Sequence, residues 1–247
     1  MKVTLEELKQ KPMPKHIAVI MDGNGRWAIN KGLARNAGHR VGVQALKNLI
    51  IALDELKIQY LTVYAFSTEN WKRPADEVNA LMELMIEFID KEIDYLDEKG
   101  VRVNPIGDIS RLSGKTYEKI MFAKEKTKNN SHIILNVALN YGGRQEIIRA
   151  AKAFCEDVQK GNMQLDDLDE ACFSRYLYTA GQPDPDLLIR PSGEMRVSNF
   201  LLWQIAYSEF WVTNILWPDF KKEHLWQAIW DYQNRDRRYG GLGGKRS

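Results

Sequence analysis

Six runs of apolar, largely β-branched residues are spaced along this chain, and most of the stretches between them repeat with a helical period. The runs are HIAVIM (16–21), YLTVYAF (60–66), VRVNPI (101–106), HIILNVAL (132–139), DLLI (186–189) and EFWVT (209–213). Continuous apolar runs of this length suit strands covered on both faces. Helical spacing is clearest from Pro74 to Lys99. There Val78, Leu81, Met82, Met85, Ile89, Ile93 and Leu96 recur, Asp76 and Glu77 open the helix, and Gly100 follows it. Residues 41–56, 115–128, 144–159 and 199–208 read as helices too. This alternation predicts an α/β fold with a mostly parallel sheet, helices around it and right-handed crossovers.

The 247 residues, 44% of them hydrophobic, are enough for a full core, and no Pro/Gly/Ser-rich linker divides them. One domain over 1–247 is therefore expected. The net charge is +2, from 35 basic and 33 acidic residues. That balance argues against non-specific nucleic-acid binding, so any anion site must come from local clustering. Cys155 and Cys172 have no metal-type spacing and read as reduced and buried. No signal-peptide core and no window near the ~20 apolar residues of a membrane span are visible, which reads as an intracellular protein. The seven tryptophans and ten tyrosines suit the core and a dimer interface.

In open parallel sheets, ligands bind beyond the carboxyl ends of the strands. Four of the six runs end in polar, mostly arginine-bearing loops: Asp22-Gly-Asn-Gly-Arg26, Ser67-Thr-Glu-Asn-Trp-Lys-Arg73, Asn140-Tyr-Gly-Gly-Arg144 and Arg190-Pro-Ser-Gly-Glu-Met-Arg196. Glycines on either side of Asn24 suit a backbone cradle for phosphate at the start of a helix. Asp22 suits a helix cap; beside phosphate it instead implies a cation, and Mg²⁺ takes one or two carboxylates plus phosphate oxygens. The stretch is neither a P-loop nor a dinucleotide fingerprint. Arg26, Arg35, His39, Arg73, Arg190 and Arg196 are six cationic candidates, more than one phosphate needs and suited to two diphosphates. The helix from Pro74 carries more apolar positions than one face requires, among them Leu84, Met85, Ile86 and Phe88. Such a helix is buried on several sides or lines an apolar cavity. A diphosphate head with an apolar tail is an isoprenoid diphosphate. A Mg²⁺-dependent phosphohydrolase would need a second metal acid near Asp22, and none is visible.

HIAVIMDGNGRWA, RNAGHRVG, YAFSTENWKRP, NYGGR, RPSGEMRVSNFLLWQIAYSEF and LWPDF, in this order, closely resemble the cis-prenyltransferases, above all bacterial undecaprenyl diphosphate synthases. The resemblance runs from about His16 to Gly240. It implies one domain with a six-stranded, mostly parallel sheet, surrounding helices and an apolar product tunnel, working as a homodimer. It implies head-to-tail condensation of isopentenyl diphosphate onto farnesyl diphosphate, each new double bond cis, toward undecaprenyl diphosphate, the lipid-carrier precursor of cell-wall synthesis. By the resemblance, Asp22 and Glu209 serve Mg²⁺, and Gly23, Asn24, Gly25, Arg26, Trp27, Arg35 and His39 serve the allylic diphosphate. Arg190, Arg196 and Ser198 hold isopentenyl diphosphate. Ser67 and Asn70 lie near the reacting carbons, where Trp71 packs, with Thr68 and Glu69 also binding substrate and Arg73 at the diphosphates. Arg238-Tyr239-Gly240 matches an element that in relatives reaches the partner subunit. The base stays open between Asp22, Asn70 acting through water and a diphosphate oxygen. No DDxxD motif of the trans enzymes is present. A shorter-chain synthase and a non-catalytic subunit of a heteromeric enzyme are the alternatives, and the intact Asp22 motif argues against the second. The expected location is the cytoplasm, with transient contact at the membrane surface for product release.

Overall fold

The structure is a computed structural model that describes residues 3–112 and 114–235. Six strands, β1 (His16–Ile20), β2 (Tyr60–Ser67), β3 (Val101–Ile106), β4 (Ile133–Tyr141), β5 (Leu187–Arg190) and β6 (Glu209–Val212), form one sheet in the order β3-β4-β2-β1-β5-β6. Every pairing is parallel, so the sheet is wholly rather than mostly parallel. The central strands β1 and β5 are buried at every position, which is why they read as unbroken apolar runs.

The helices are α1 (Leu5–Lys9), α2 (Asn24–Asn30), α3 (Arg35–Leu56), α4 (Ala75–Glu98), α5 (Gly114–Lys126), α6 (Gly143–Gln159), α7 (Glu170–Ser174) and α8 (Lys222–Gln233). One core packs α3 and α8 against β1, β2 and β5 through Leu49, Leu53, Leu61, Ile189, Leu225 and Ile229. Another sets Phe66 and Leu139 against Val78, Met82 and Ile89 of α4 and Ile120 of α5.

Three points differ from the sequence reading. The apolar residues of 199–208 form turns, because Ser198, Asn199 and Leu201 have positive φ, which a right-handed helix excludes. Their periodicity comes from packing: Phe200, Leu201 and Ile205 enter a buried cluster with Ile20 and Tyr141. Helix α8 was not anticipated, although Leu225, Ala228, Ile229 and Tyr232 recur at helical spacing. Of the cysteines, both free, Cys172 is buried as expected but Cys155 is exposed.

Chain order also creates a break in direction. From β1 the chain moves one way to β2, β4 and β3, and only later crosses to β5 on the other side of β1. The loops leaving β1 and β5 therefore diverge and leave a crevice between them.

Candidate active site at the carboxyl edge of the sheet

Asp22 and Arg190 stand at that crevice, one just after β1 and the other closing β5. The Arg190 guanidinium donates to Asp22 Oδ2 at 2.8 Å and to Ser198 Oγ at 3.0 Å, and also bonds the Arg196 carbonyl. Arg190 is buried. Burial pushes the Asp22 carboxyl up, but the hydrogen bond and charge of Arg190, with help from Ser192 and the Gly23 amide, outweigh it and hold the group below its ordinary value. Asp22 is thus a carboxylate near neutral pH.

The turn into α2 depends on Gly23, whose φ of +101 is closed to other residues without strain. Its neighbour Asn24 is clamped by α3. A Cβ on Gly38 would lie 1.9 Å from the Asn24 carbonyl oxygen, and one on Gly42 would lie 2.2 Å from its Oδ1. These two glycines let α3 cross against the first turn of α2, which fixes the DGNGR stretch.

Carboxylates of the same chain hold the arginines. Glu194 lies 3.3 Å from Arg26 and also pairs with Arg196. Glu77, in the first turn of α4, takes Arg73 at 2.9 Å and Arg35 at 3.6 Å. Arg26 is 3.6 Å from Asp22 and donates to the Ser192 carbonyl. His39 corrects the tally of cations. Burial, then the positive charges of Arg73 and Arg35, lower its pKa to about 4, so the site holds five guanidiniums and a neutral imidazole. Neither Glu77 nor Glu194 had been singled out; an acid within reach of two arginines is invisible until the loops are placed.

Beyond β2, Asn70 folds back to accept from the Ser67 amide at 3.0 Å, and the Trp71 indole donates to Asn140 Oδ1 while its ring meets Phe66 edge-on. The β2–β4 register shifts on both sides of Phe66, leaving Ala65 unpaired on β2 and Asn140 unpaired on β4. Thr68 Oγ1 and Trp27 Nε1 are buried without a partner. Lys31 sits over the Trp27 ring.

From this edge a cavity of about 540 Å³ runs inward. Its polar part is lined by Asp22, Asn24, His39, Ser67, Glu69, Asn70, Arg73, Arg190, Arg196 and Ser198. The remainder is apolar: Leu46 of α3, Ala65 of β2, Leu81, Leu84, Met85, Phe88, Ile93 and Leu96 of α4, Ala123 of α5, and Val103 and Leu135 of the sheet. From Leu81 to Leu96 the helix offers about 22 Å of wall at 1.5 Å per residue. The surplus apolar positions of α4 are thereby divided: Met82 enters the core, while Leu84, Met85 and Phe88 face the cavity.

Gly25, Arg26 and Arg35 border the mouth without lining the cavity, with Arg35 packed over Gly25. Glu209 is not brought there. It opens β6 in register with Leu187, itself level with Ile17, and accepts from Arg235 at 2.7 Å. Asp22 lies beyond the end of β1 at Ile20, itself three residues or roughly 10 Å further along the strand than Ile17 at about 3.3 Å per residue. Within one chain Glu209 and Asp22 thus stand at different levels of the sheet. Among the described residues no group of three or more His, Cys, Asp and Glu could hold a metal ion. The expected element Arg238-Tyr239-Gly240 lies outside the described residues.

A paired acid at the switch point, two arginine sets around it and a long apolar cavity behind define the chemistry. The family model for putative undecaprenyl diphosphate synthases matches residues 20–240. The chain belongs to the undecaprenyl diphosphate synthase family. An isoprenyl transferase of Clostridium perfringens is 61% identical over 93% of this chain and 91% of its own length. One from Bacillus subtilis is 50% identical over 97% and 92%. A crystal structure of lavandulyl diphosphate synthase from Lavandula x intermedia, in complex with dimethylallyl diphosphate, superposes with a TM-score of 0.89 at 37% identity, covering 92% of this chain and 98% of that one. A probable undecaprenyl diphosphate synthase from Campylobacter jejuni gives 0.77 at 36%, covering 93% and 99%. Prenyl transfer is therefore this chain's activity, on an α/β fold that its relatives share over nearly their whole length.

Proposed function

We propose that this prenyltransferase extends farnesyl diphosphate with isopentenyl diphosphate, in cis, to undecaprenyl diphosphate, as a Mg²⁺-dependent homodimer. One observation carries the reading: arginines gathered at the mouth of a deep apolar cavity, as a charged head with a lengthening tail requires. Arg190, Arg196 and Ser198 would hold the diphosphate of isopentenyl diphosphate. Arg26, Arg35, Arg73 and the first turn of α2 would hold that of the allylic substrate, with neutral His39 as a hydrogen-bonding group. Side-by-side anchoring brings the double bond of one substrate to the allylic carbon of the other, a proximity effect. The guanidiniums stabilise the departing diphosphate as the allylic C–O bond breaks, the new C–C bond forms and a proton leaves C2 of isopentenyl diphosphate to restore the double bond. The tail, meanwhile, passes along α4.

The donor set fits Mg²⁺ in one specific way. A lone ionised carboxylate, Asp22, with no protein cage around it, matches an ion that takes one carboxylate and completes its shell with substrate phosphate oxygens and water. Mg²⁺ held there would supply charge neutralisation to the leaving diphosphate. Glu209 of the same chain is no part of that set. Among the described residues no helix is long and apolar enough to cross a membrane.

The deciding experiment incubates the full chain with Mg²⁺, farnesyl diphosphate and labelled isopentenyl diphosphate, then sizes butanol-extracted products by mass. A ladder ending at the undecaprenyl product is expected. A short product would leave the chemistry and discard the chain length. No product from folded protein would discard the substrates.

A further inference from the structure

The loop closing β4, Asn140-Tyr-Gly-Gly-Arg144, has no role in the reading above. It leaves the sheet at the same edge as the site, yet the Arg144 side chain does not line the cavity. What meets it is Asn199, held in the left-handed region at φ +63. The Asn199 carbonyl accepts from the Gly143 amide at 2.7 Å, and its Oδ1 accepts from the Arg144 amide at 2.9 Å. Those are the opening amides of α6, which lack partners inside the helix, and Gly142 has no side chain to cap them. Asn199 therefore caps α6 from another loop. Its remaining group, Nδ2, donates to Glu69 Oε1 at 3.0 Å and to Gln145 Oε1 at 3.2 Å.

Packing reserves this junction. A Cβ on Gly143 would lie 3.0 Å from the Leu202 amide nitrogen and 2.8 Å from its Cγ. Tyr64, stacked on Phe200, donates to the Tyr141 and Ser198 carbonyls. Three loops thus meet at one amide side chain: the Ser67–Arg73 arm, the start of α6, and the arm that carries Arg196 and Ser198.

We propose that Asn199 is a positioning residue for prenyl transfer, one that sets the isopentenyl-diphosphate arm against the Ser67–Arg73 arm by anchoring both to α6. The inference rests on the substrates proposed above. Asn199→Gly keeps the backbone conformation, since glycine accepts positive φ, and removes only the amide. It should lower kcat/KM for isopentenyl diphosphate about 10-fold or more while KM for farnesyl diphosphate stays within about threefold. Asn199→Asp keeps Oδ1 for the Arg144 amide but faces Glu69 with a like charge, and should lose at least as much. Combining it with Glu69→Gln reverses the donor and acceptor, so against the Glu69→Gln background the Asn199→Asp change should cost several-fold less than it costs in the wild type. Wild-type kinetics in Asn199→Gly, or an Asn199→Asp loss as large in the Glu69→Gln background as in the wild type, would overturn the proposal. Calorimetry with inorganic pyrophosphate repeats the comparison without prenyl transfer. Weakened binding in Asn199→Gly supports the role even if the proposed substrates are wrong, and unchanged binding overturns it even if they are right.

Discussion

The mouth of the site and the chamber behind it are built on opposite terms. At the mouth, direction matters. Asp22, Glu77 and Glu194 each engage two guanidiniums, and Ser192, Ser198, Asn199 and Leu201 hold positive φ within one short loop. Such conformations persist only where surrounding contacts over-determine them. In the chamber, the aliphatic side chains of α3, α4, α5 and the sheet, with Phe88, carry no hydrogen-bonding group, and shape and volume count. A mouth residue should therefore be sensitive to its chemical identity, and a chamber residue to its size.

The largest effect is expected at Asp22. Asp22→Ala should lower turnover by about three orders of magnitude or more, and by leaving the buried Arg190 without its carboxylate should also destabilise the fold by about 1–3 kcal/mol. Asp22→Asn keeps a hydrogen-bond acceptor for Arg190, so unfolding in denaturant should show most of that stability retained while turnover stays low. If the two variants turn over alike and near wild type, the mouth has been misread.

Size alone should govern the next change. Ala65→Leu narrows the chamber near its mouth. Product mass should fall by one or more isoprene units, with the first condensation slowed only a few-fold. An unchanged ladder would remove Ala65 from the wall.

Glu194→Gln tests the in-chain counter-ions. These pairs are partly exposed, so the effect is modest. Freed from a carboxylate that diphosphate must displace, Arg26 and Arg196 should bind pyrophosphate a few-fold more tightly by calorimetry. Weaker binding would show that Glu194 orients them instead.

The smallest effect is a null one. With its pKa lowered to about 4, His39 is neutral from pH 6 to 8, so KM for either diphosphate should not follow an imidazole titration there. For stability the sign is fixed: the unfolded histidine takes up its proton near 6.5 and the folded one only near 4. Stability from the neutral form is present above about pH 6.5 and is lost as pH falls to about 4. An NMR titration giving an ordinary imidazole value would show that the mouth is wetter than its packing implies.

Local chemistry carried much of this into the sequence. Strands buried on both faces must be apolar throughout, so β1 and β5 were legible as unbroken runs, while the partly exposed β3 and β6 were legible from their β-branched and aromatic residues, as was α4 from its acidic first turn. Loops that follow parallel strands share an edge, so Asp22, Arg73, Arg190 and Arg196 could be grouped before any coordinates. Tertiary structure decided what depends on contacts between distant segments. Turns at 199–208 replace an expected helix because backbone strain there is held by α6, Glu69 and Tyr64, none of them near in sequence. Glu209 falls away from Asp22 because register places it at the start of an edge strand. His39 loses its charge because burial and two arginines surround it, and Glu77, Glu194 and Asn199 gain their roles only through partners that folding delivers. Periodicity and residue type are properties of a segment, whereas an ion pair, a helix cap supplied by another loop or a lowered pKa is a property of a neighbourhood.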